Sequence, residues 1–395
     1  MVNELGGAGF TWDSGLDSRE YEARVQRIRE RMKKQGLDAL VIYASAREWP
    51  ASNVRYVSNY GLRDSSLIVL STDGDAHLAI GSGFALPFAK EVSWINDVRV
   101  ISSSPGKEAK TSLDRLGISK GTLGFVGSGE MNLAESDSFK KGLSGFENRD
   151  AEGLLDELRL VKSPKEIDLH RRASEICDTA FEGFKKVAKP GVRESRAWAE
   201  MEYVAACQGA ENNSSLCSIA SGPYVGIQPT SPRTRKYVDG DLVICSSVFR
   251  YRGYWAQVIR TGYIGKSSGK GDRLFDLVAE AQQKGIKALK PGTTALKAYE
   301  VMSEALESEC DKHKSHYHIW MAHGQGLTYS EVPRFAFHQV RPDYEVKLQP
   351  GMVIVVHPSL LDAGEAVGAV QADLCLVTET GVEVLTKSGR GLFTT

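Results

Sequence analysis

SSVFRYRGYWAQVIRT, residues 246–261, predicts a β-hairpin, because two runs rich in β-branched and aromatic residues flank a glycine. If the turn covers residues 250–253, Ser246 lies directly opposite Gln257, and the two side chains share one face of the hairpin. Both positions are polar but uncharged. The pair is therefore either a structural cross-strand pair or part of a binding site, and the hairpin alone favours neither.

The bulk composition is that of an ordinary globular protein. The chain has 395 residues, 42% of them hydrophobic and 25% charged, which is enough for two domains of typical size. The formal net charge is -1, from 49 Lys and Arg against 50 Asp and Glu, so we expect no bulk attraction to nucleic acid or to an anionic membrane. The expected partner is a small molecule or another protein.

The cysteines and the N-terminal residues indicate the compartment. Six cysteines are spread along the chain without CxxC spacing, which favours reduced thiols with structural roles. The N-terminus lacks a basic segment followed by an apolar one, and no apolar run approaches bilayer length. We therefore expect a cytoplasmic protein that does not enter membranes.

Residues 1–155 predict an α/β domain. Ser18 is a candidate N-cap for a helix that runs to Gln35. The run LDALVIYA predicts a buried strand, and Asp73 with Gly74 predicts a hairpin turn between two further strands. Later strand-like runs alternate with helical segments, as in other mixed α/β domains.

Residues 156–395 predict a second domain, of the α+β class, with an internal repeat. The tripeptide Lys-Pro-Gly occurs at 189–191 and again at 290–292, each time between two helical segments that flank strand-like sequence. This repeated pattern predicts two halves related by a pseudo-twofold axis, although a tripeptide can also match by chance. A site in such a domain is expected between the halves.

Two histidines stand where a site could form. His323 lies in AHGQG, where the glycines let the backbone approach a ligand closely. His357 ends the apolar run GMVIVVHP, just before a proline that stops regular strand pairing. A single histidine at a strand end is more often structural. Two of them, together with Ser246 and Gln257, favour a functional site.

With these motifs the chain resembles the creatinase/aminopeptidase P/prolidase/methionine aminopeptidase superfamily, whose catalytic domain has the pita-bread fold. GDLVIC, GYWAQVIRT, HGQGL, LQPGMVIVVHP and LVTETGVEVLT keep the order and approximate spacing of that domain's motifs. NVRYVSNYG is similar to a phrase of the family's N-terminal domain, and ELRLVKSPKEI to the segment between the domains. The resemblance covers essentially the whole chain and implies an α/β N-terminal domain followed by a pita-bread catalytic domain.

The chain departs from this family at the metal site. The metallo-members bind two divalent ions through Asp, Asp, His, Glu and Glu, whose carboxylates neutralise the ions. Carried over in that order, the ligand positions fall on Ser246, Gln257, His323, His357 and Ala372, or on Gln371 or Asp373 if the last one slips by a residue. A single zinc on the two histidines would need a third ligand, for which Asp373 is the nearby carboxylate. The resemblance thus implies no metal and no other cofactor.

At other catalytic positions, too, this chain has different residues from the branches of the family. The accessory histidines of the peptidases fall on Ser330 and near Pro229, whereas their glutamate is kept as Glu331. Creatinases, which need no metal, have a glutamate at the position of Ile259. Ectoine hydrolases, also metal-free, have a carboxylate nucleophile at the position of Ser246. The chain therefore matches none of these branches in its reacting residues.

The resulting hypothesis is a metal-independent, creatinase-like hydrolase or lyase that cleaves a C–N bond in a small polar or zwitterionic metabolite. His323 is the expected general acid or base, His357 a second base or an orienting group, and Ser246 a nucleophile or a hydrogen-bond donor. Arginines suit a substrate carboxylate. The expected substrate-binding residues are Gln257, Arg260, Glu331, Arg334, Arg252 and Tyr254.

Two other hypotheses stay open. One is a non-catalytic protein that keeps the pita-bread pocket for partner recognition. The other is an Xaa-Pro metallopeptidase with an altered site, which bound Mn, Co or Zn would reveal. The resemblance also implies a homodimer, because members with this two-domain build often bring the N-terminal domain of one subunit to the active site of the other.

Overall fold

The computed structural model describes residues 14–46, 51–211, 216–227, 229–312, 316–317, 321–335 and 345–395. The chain divides into two compact units, the first ending at Arg159 and the second beginning at Leu160. Each unit has a hydrophobic core of its own. No helix within these ranges is both long and apolar enough to cross a membrane.

The first unit contains a mixed sheet with helices. The helices are α1 (Ser18–Gln35), α2 (Ser52–Ser58), α3 (Leu86–Val92), α4 (Pro105–Arg115), α5 (Leu133–Gly142) and α6 (Glu152–Leu160), which ends at the boundary. The strands are β1 (Ala39–Ala44), β2 (Ser66–Ser71), β3 (Ala76–Ile80), β4 (Asp97–Val100), β5 (Thr122–Val126) and β6 (Glu147–Asp150). In the described sheet the order is β4-β3-β2-β1-β5-β6, with β1 antiparallel to β2 and parallel to β5.

Local sequence signals account for most of the first unit. All residues of β1 are buried, as its apolar run predicts. Asp73 and Gly74 stand between the antiparallel strands β2 and β3, so the predicted hairpin is confirmed. The predicted cap of α1 is wrong by one residue. Asp17, not Ser18, is the N-cap, because its extended backbone lets its carboxylate accept the backbone N–H of Glu20.

The second unit carries longer helices and three described sheets. Its helices are α7 (Pro164–Val187), α8 (Glu194–Cys207), α9 (Asp272–Ala288) and α10 (Ala295–Lys312). Its strands are β7 (Ser218–Ser221), β8 (Leu242–Tyr251), β9 (Tyr254–Tyr263), β10 (His316–Tyr317), β11 (Ala322–Gly324), β12 (Glu331–Phe335), β13 (Val353–Val356), β14 (Ser359–Asp362), β15 (Val367–Val370), β16 (Asp373–Val377), β17 (Val382–Val384) and β18 (Phe393–Thr394). The described sheet orders are β18-β9-β8-β7, β12-β11-β13-β16-β17 and β10-β14-β15.

The internal repeat is visible in the helices. Lys-Pro-Gly joins α7 to α8 and joins α9 to α10, and the glycines Gly191 and Gly292 have φ values of 86° and 81°. A left-handed residue at this point suits glycine, which has no Cβ to clash. The same tripeptide therefore makes the same turn in both helix pairs, as two structurally similar halves require.

Two of the sheets meet at the middle of the unit. Ile259 on β9 and Ala372, just before β16, exchange backbone hydrogen bonds: Ile259 N donates to Ala372 O at 3.3 Å, and Ala372 N donates to Ile259 O at 3.0 Å. This bridge holds the β8–β9 hairpin against the sheet that contains β11 and β13. The motifs that lie far apart in the sequence are thereby brought together.

The β8–β9 hairpin forms as predicted, but its register differs from the prediction. Only Arg252 and Gly253 form the turn, and both have positive φ, 48° and 94°, so strand pairing continues to Tyr251 and Tyr254. Two-residue turns with two positive φ values match the twist of antiparallel strands. The expected direct opposition of Ser246 and Gln257 is therefore wrong.

Candidate functional site

A cavity of about 370 Å³ lies within the second unit. Small-molecule sites have volumes of roughly 300–1,000 Å³. Strands β7, β8, β9, β14 and β15 contribute to its wall. The described lining residues are Leu216, Ser218, Pro229, Thr230, Ser231, Ser246, Gln257, Ile259, Tyr329, His357, Ser359, Leu361 and Val370.

The hairpin supplies one wall of this cavity. Ser246 pairs with Ile259, and Gln257 pairs with Val248, so Ser246 and Gln257 are offset by two residue pairs along the hairpin. Alternate residues of a strand point to the same face. The predicted shared face is therefore confirmed, and both side chains line the cavity with almost no solvent exposure. Ser218, opposite Ser246 on β7, adds a second hydroxyl.

The two histidines lie against each other, and only His357 is among the lining residues. The ring centroids of His323 and His357 are 4.9 Å apart, with the rings nearly perpendicular. His323 Nδ1 is 2.8 Å from the carbonyl oxygen of Gly324. A carbonyl can only accept, so Nδ1 of the neutral ring carries the proton and Nε2 keeps its lone pair. His323 thus packs behind His357.

Both imidazoles are neutral at physiological pH. Burial lowers the pKa of His323 to about 4, and the Nδ1–H bond to Gly324 offsets only part of this effect. Burial also lowers the pKa of His357 well below its usual value, and the neighbouring His323 lowers it further. Removing a charged ring from water is costly, and a second charge beside it is more costly still. The pair therefore presents lone pairs, not positive charge.

Tyr329 belongs to this wall although no sequence motif pointed to it. Its ring centroid is 5.1 Å from that of His323 and 5.9 Å from that of Trp255, and its hydroxyl is hydrogen-bonded to Gln257. Burial raises the pKa of the phenol, so the hydroxyl stays protonated. The hydroxyls of Ser359 and Ser218 were missed too. Ser359 follows His357 by two residues, a spacing that could have pointed to it.

Two predicted binding residues, Glu331 and Tyr254, lie in a separate ionic cluster. Glu331 Oε2 is 3.0 Å from Lys162 Nζ, and Glu331 Oε1 accepts the backbone N–H of Thr328 at 3.0 Å. Tyr254 donates from its hydroxyl to Glu166 at 2.8 Å. Neither is among the described residues that line the cavity. Glu331 instead holds the loop that carries Tyr329.

The three predicted arginines are placed elsewhere. Arg260 is fully buried and all its N–H groups are used. Its described acceptors are the carbonyl oxygens of Ile259, Ala372, Ser388 and Gly389 and one oxygen of Asp373. Arg252 lies in the hairpin turn, with its guanidinium 5.6 Å from the Tyr251 ring. Arg334 is the cross-strand partner of His323. None of them is a described lining residue.

His170 belongs to the cluster around Glu331 and is completely buried on α7. Its Nδ1–H donates to the Trp255 carbonyl oxygen at 2.9 Å, and its ring meets that of Tyr254 edge-on. Burial, with a smaller effect of Lys162, lowers its pKa to about 4. The same physical cause therefore acts on His170 and on His323.

We expect the folded protein to lose stability as the pH falls from 7 to 5. The pKa of His170 is about 4 in the folded chain against a usual 6.5, so in this range the unfolded state binds more protons and unfolding becomes easier. The loss from His170 alone is on the order of 2 kcal/mol at pH 5. Urea unfolding at both pH values measures it. His170→Gln cannot take up the proton, and an equally steep pH dependence in this variant would contradict the assignment.

The two-metal site of the family's metallo-members does not fit these residues. His357 is the one usual metal ligand among the described lining residues, and the remaining polar groups there are hydroxyls and an amide. The carboxylate of Asp373, the residue after Ala372, accepts hydrogen bonds from Arg260, Thr386, Gln282 and Arg390 on its two oxygens. Within the described ranges, no group of three or more His, Cys, Asp or Glu is placed to hold an ion. Neutral donors cannot offset the charge of two divalent ions.

Known proteins resemble the chain over both units. The model for Metallopeptidase family M24 matches residues 168–379, and the model for the Creatinase/Prolidase N-terminal domain matches residues 24–161. The Xaa-Pro dipeptidase of Pyrococcus furiosus is 28% identical over 341 residues, which are 86% of this chain and 92% of the relative.

Solved structures give the same result. The prolidase from Pyrococcus horikoshii OT3 superposes with a TM-score of 0.81 at 26% identity, covering 94% of this chain and 100% of that one. The Xaa-Pro dipeptidase from Bacillus anthracis has a TM-score of 0.81 at 25% identity, covering 95% and 100%. The predicted fold class, an α/β N-terminal domain with a pita-bread catalytic domain, is confirmed.

The comparisons support part of the functional expectation. They favour the hydrolase class and the likeness to prolidases and aminopeptidase P, and they give no support to a creatinase-like specificity. The peptidase alternative is closer to them than the small-metabolite hypothesis. With a catalytic-domain match over residues 168–379, the chain belongs to metallopeptidase family M24.

Proposed function

We propose that the protein hydrolyses an amide C–N bond in a small molecule, with Xaa-Pro dipeptides as the first candidates, and that it does so without a pair of metal ions. One observation carries the proposal: His357, Ser246 and Gln257 meet in the wall of a single cavity in the M24 domain. The names of the relatives support the bond type. The composition of the wall supports the metal-free route.

His357 is the proton-transfer group in this proposal. Because its ring is neutral, it can accept a proton from water, or from the Ser246 hydroxyl, as that oxygen attacks the substrate carbonyl carbon. The proton then passes to the leaving nitrogen when the C–N bond breaks. If Ser246 is the nucleophile, water cleaves the resulting ester in a second, equivalent step.

His323 has a supporting role in this reaction, which reverses the roles expected from the sequence. Its ring is fixed by the bond from Nδ1 to the Gly324 carbonyl and packs edge-on against His357. A ring held in this way keeps His357 directed at the cavity. His323 therefore acts through its neighbour, as a positioning residue.

A second candidate is a metal-dependent Xaa-Pro peptidase with an altered site. The relatives named as Xaa-Pro dipeptidases favour it, since they match this chain over most of its length. The donor set of the described wall does not. Metal content and chelator sensitivity separate the two candidates.

We expect hydrolysis to be insensitive to metal removal. Protein purified without chelators should contain far less than one Mn, Co or Zn per chain by elemental analysis. Turnover across a panel of Xaa-Pro dipeptides and their blocked amides should be the same before and after dialysis against EDTA, because the described lining residues include no carboxylate to hold an ion. Stoichiometric metal, with activity lost to EDTA and restored by Mn or Co, would establish the second candidate.

A further inference from the structure

The wall of the cavity carries no charged side chain among its described lining residues. Five of these residues are serine or threonine: Ser218, Thr230, Ser231, Ser246 and Ser359. Leu216, Pro229, Ile259, Leu361 and Val370 form apolar surface beside them. His357 adds a neutral imidazole. The described part of the wall therefore combines hydroxyl groups with apolar surface and carries no formal charge.

A charged ligand group would gain little in such a cavity. A buried ion costs several kcal/mol in lost hydration unless an opposite charge or strong hydrogen bonds compensate it. Arg260 is committed to five acceptors, and Arg252 lies in the hairpin turn. Arg334 is the strand partner of His323, but it is not among the described lining residues. The wall thus favours an uncharged occupant.

Gln257 and Tyr329 give this wall a specific hydrogen-bonding pattern. The Gln257 amide is bonded to the Tyr329 hydroxyl. Gln257 Oε1 is buried and has no hydrogen-bond partner among the described residues. With its N–H donated to Tyr329, the pair offers the free Oε1 as acceptor and the phenol O–H as donor. With the amide turned over, Oε1 accepts the phenol O–H, and the pair offers the amide N–H groups as donors and a phenol lone pair as acceptor. Either orientation therefore presents a donor beside an acceptor.

One donor beside one acceptor is the complement of an amide group, which presents an N–H and a C=O side by side. A carboxylate would present two acceptors to this pair, and an ammonium group would present only donors. Each would leave one buried group of the pair unsatisfied, and an unsatisfied buried group is costly. The hydrogen-bonding pattern therefore favours an uncharged amide over a carboxylate or an ammonium group, as does the lack of charge among the described lining residues.

We infer that the cavity binds an uncharged carboxamide, held by Gln257 and Tyr329, and that the substrate carries no free carboxylate or ammonium inside it. This inference deepens the proposed function and rests on it for the identity of the bond that is cleaved. It narrows the substrate class from dipeptides in general to those whose ends are blocked or lie outside the cavity. Free zwitterionic dipeptides are the poorer ligands.

A matched ligand series tests the inference on the unmodified full-length protein. N-acetyl-L-prolinamide is uncharged at pH 7, whereas N-acetyl-L-proline is an anion, L-prolinamide a cation and L-proline a zwitterion. Calorimetric titration should give the tightest binding for N-acetyl-L-prolinamide, with each charged compound at least about tenfold weaker. Equal or tighter binding of any charged compound would overturn the inference, and so would failure of all four to bind at millimolar concentration.

A pair of variants tests whether the Tyr329 hydroxyl binds the carboxamide. Tyr329→Phe removes the hydroxyl and should weaken N-acetyl-L-prolinamide binding about tenfold while leaving the weak binding of L-proline unchanged. Tyr203→Phe is the control, because Tyr203 is an exposed tyrosine on α8 and does not line the cavity. Unchanged amide binding by Tyr329→Phe would overturn the assignment. If that variant does not fold, the ligand series still decides.

The outcomes separate the inference from the proposed function. Tight binding of the neutral amide with no cleavage of any amide or dipeptide would keep the inference and reject the hydrolase. Cleavage of zwitterionic dipeptides in preference to blocked ones would keep the hydrolase and reject the inference. A loss of anion binding in Arg334→Met would then identify that arginine as the group responsible.

Discussion

Replacing His357 by alanine is expected to lower kcat/KM for the best-cleaved substrate by about 10²- to 10⁴-fold, the range that a positioned proton-transfer group contributes. His357 is the described lining residue whose lone pair can take a proton in the reaction. The substrate should still bind, since Gln257 and Tyr329 remain. The loss should therefore appear in kcat more than in KM, which steady-state kinetics can separate.

Two further variants give this prediction its controls. His77→Ala removes an imidazole from strand β3 of the first unit and should leave turnover unchanged. His323→Gln should cost less than His357→Ala, because His323 acts by holding its neighbour. A loss in His323→Gln that exceeds the loss in His357→Ala would restore the roles expected from the sequence. Full activity in both variants would reject histidine catalysis in this cavity.

Several turns of the fold could be predicted because short sequence motifs specify them. The Asp73-Gly74 hairpin and the Lys-Pro-Gly turns are specified by residues that favour unusual backbone angles, and they form where expected. The face shared by Ser246 and Gln257 was also predictable, because strand alternation survives a change of register. The register itself was not, since it depends on Arg252 adopting a positive φ in a two-residue turn.

Where the structure places a residue differently from the expectation, the cause is its dependence on distant segments of the chain. The guanidinium of Arg260 is satisfied by carbonyls from residues 372, 388 and 389, more than a hundred positions away. Tyr329 reaches the cavity because its loop closes over Glu331, where a Cβ on Gly326 would lie 2.4 Å from the carboxylate. A sequence motif names the residue types at such positions but not the acceptors that fold around them.

We expect Asp373→Ala to lower the free energy of unfolding by about 3–5 kcal/mol, the cost of leaving a buried charge without its partner. Asp373 has no solvent exposure, and its nearest contact is Arg260 Nη2 at 2.6 Å, which is fully buried as well. Gln282 and Thr386 would also lose an acceptor. Chemical denaturation at pH 7 measures the change.

A surface pair provides the matched control. Glu280→Ala removes a carboxylate that forms an ion pair with Lys284 at 2.8 Å on an exposed helix face. This substitution should change the free energy of unfolding by less than about 1 kcal/mol. A loss below that level in Asp373→Ala would show that Arg260 does not depend on this carboxylate. Asp373 would then be available as a third metal ligand beside the histidines, and its contact with Arg260 would no longer argue against a bound ion. A large loss means that the carboxylate next to Ala372 is engaged in stabilising the fold.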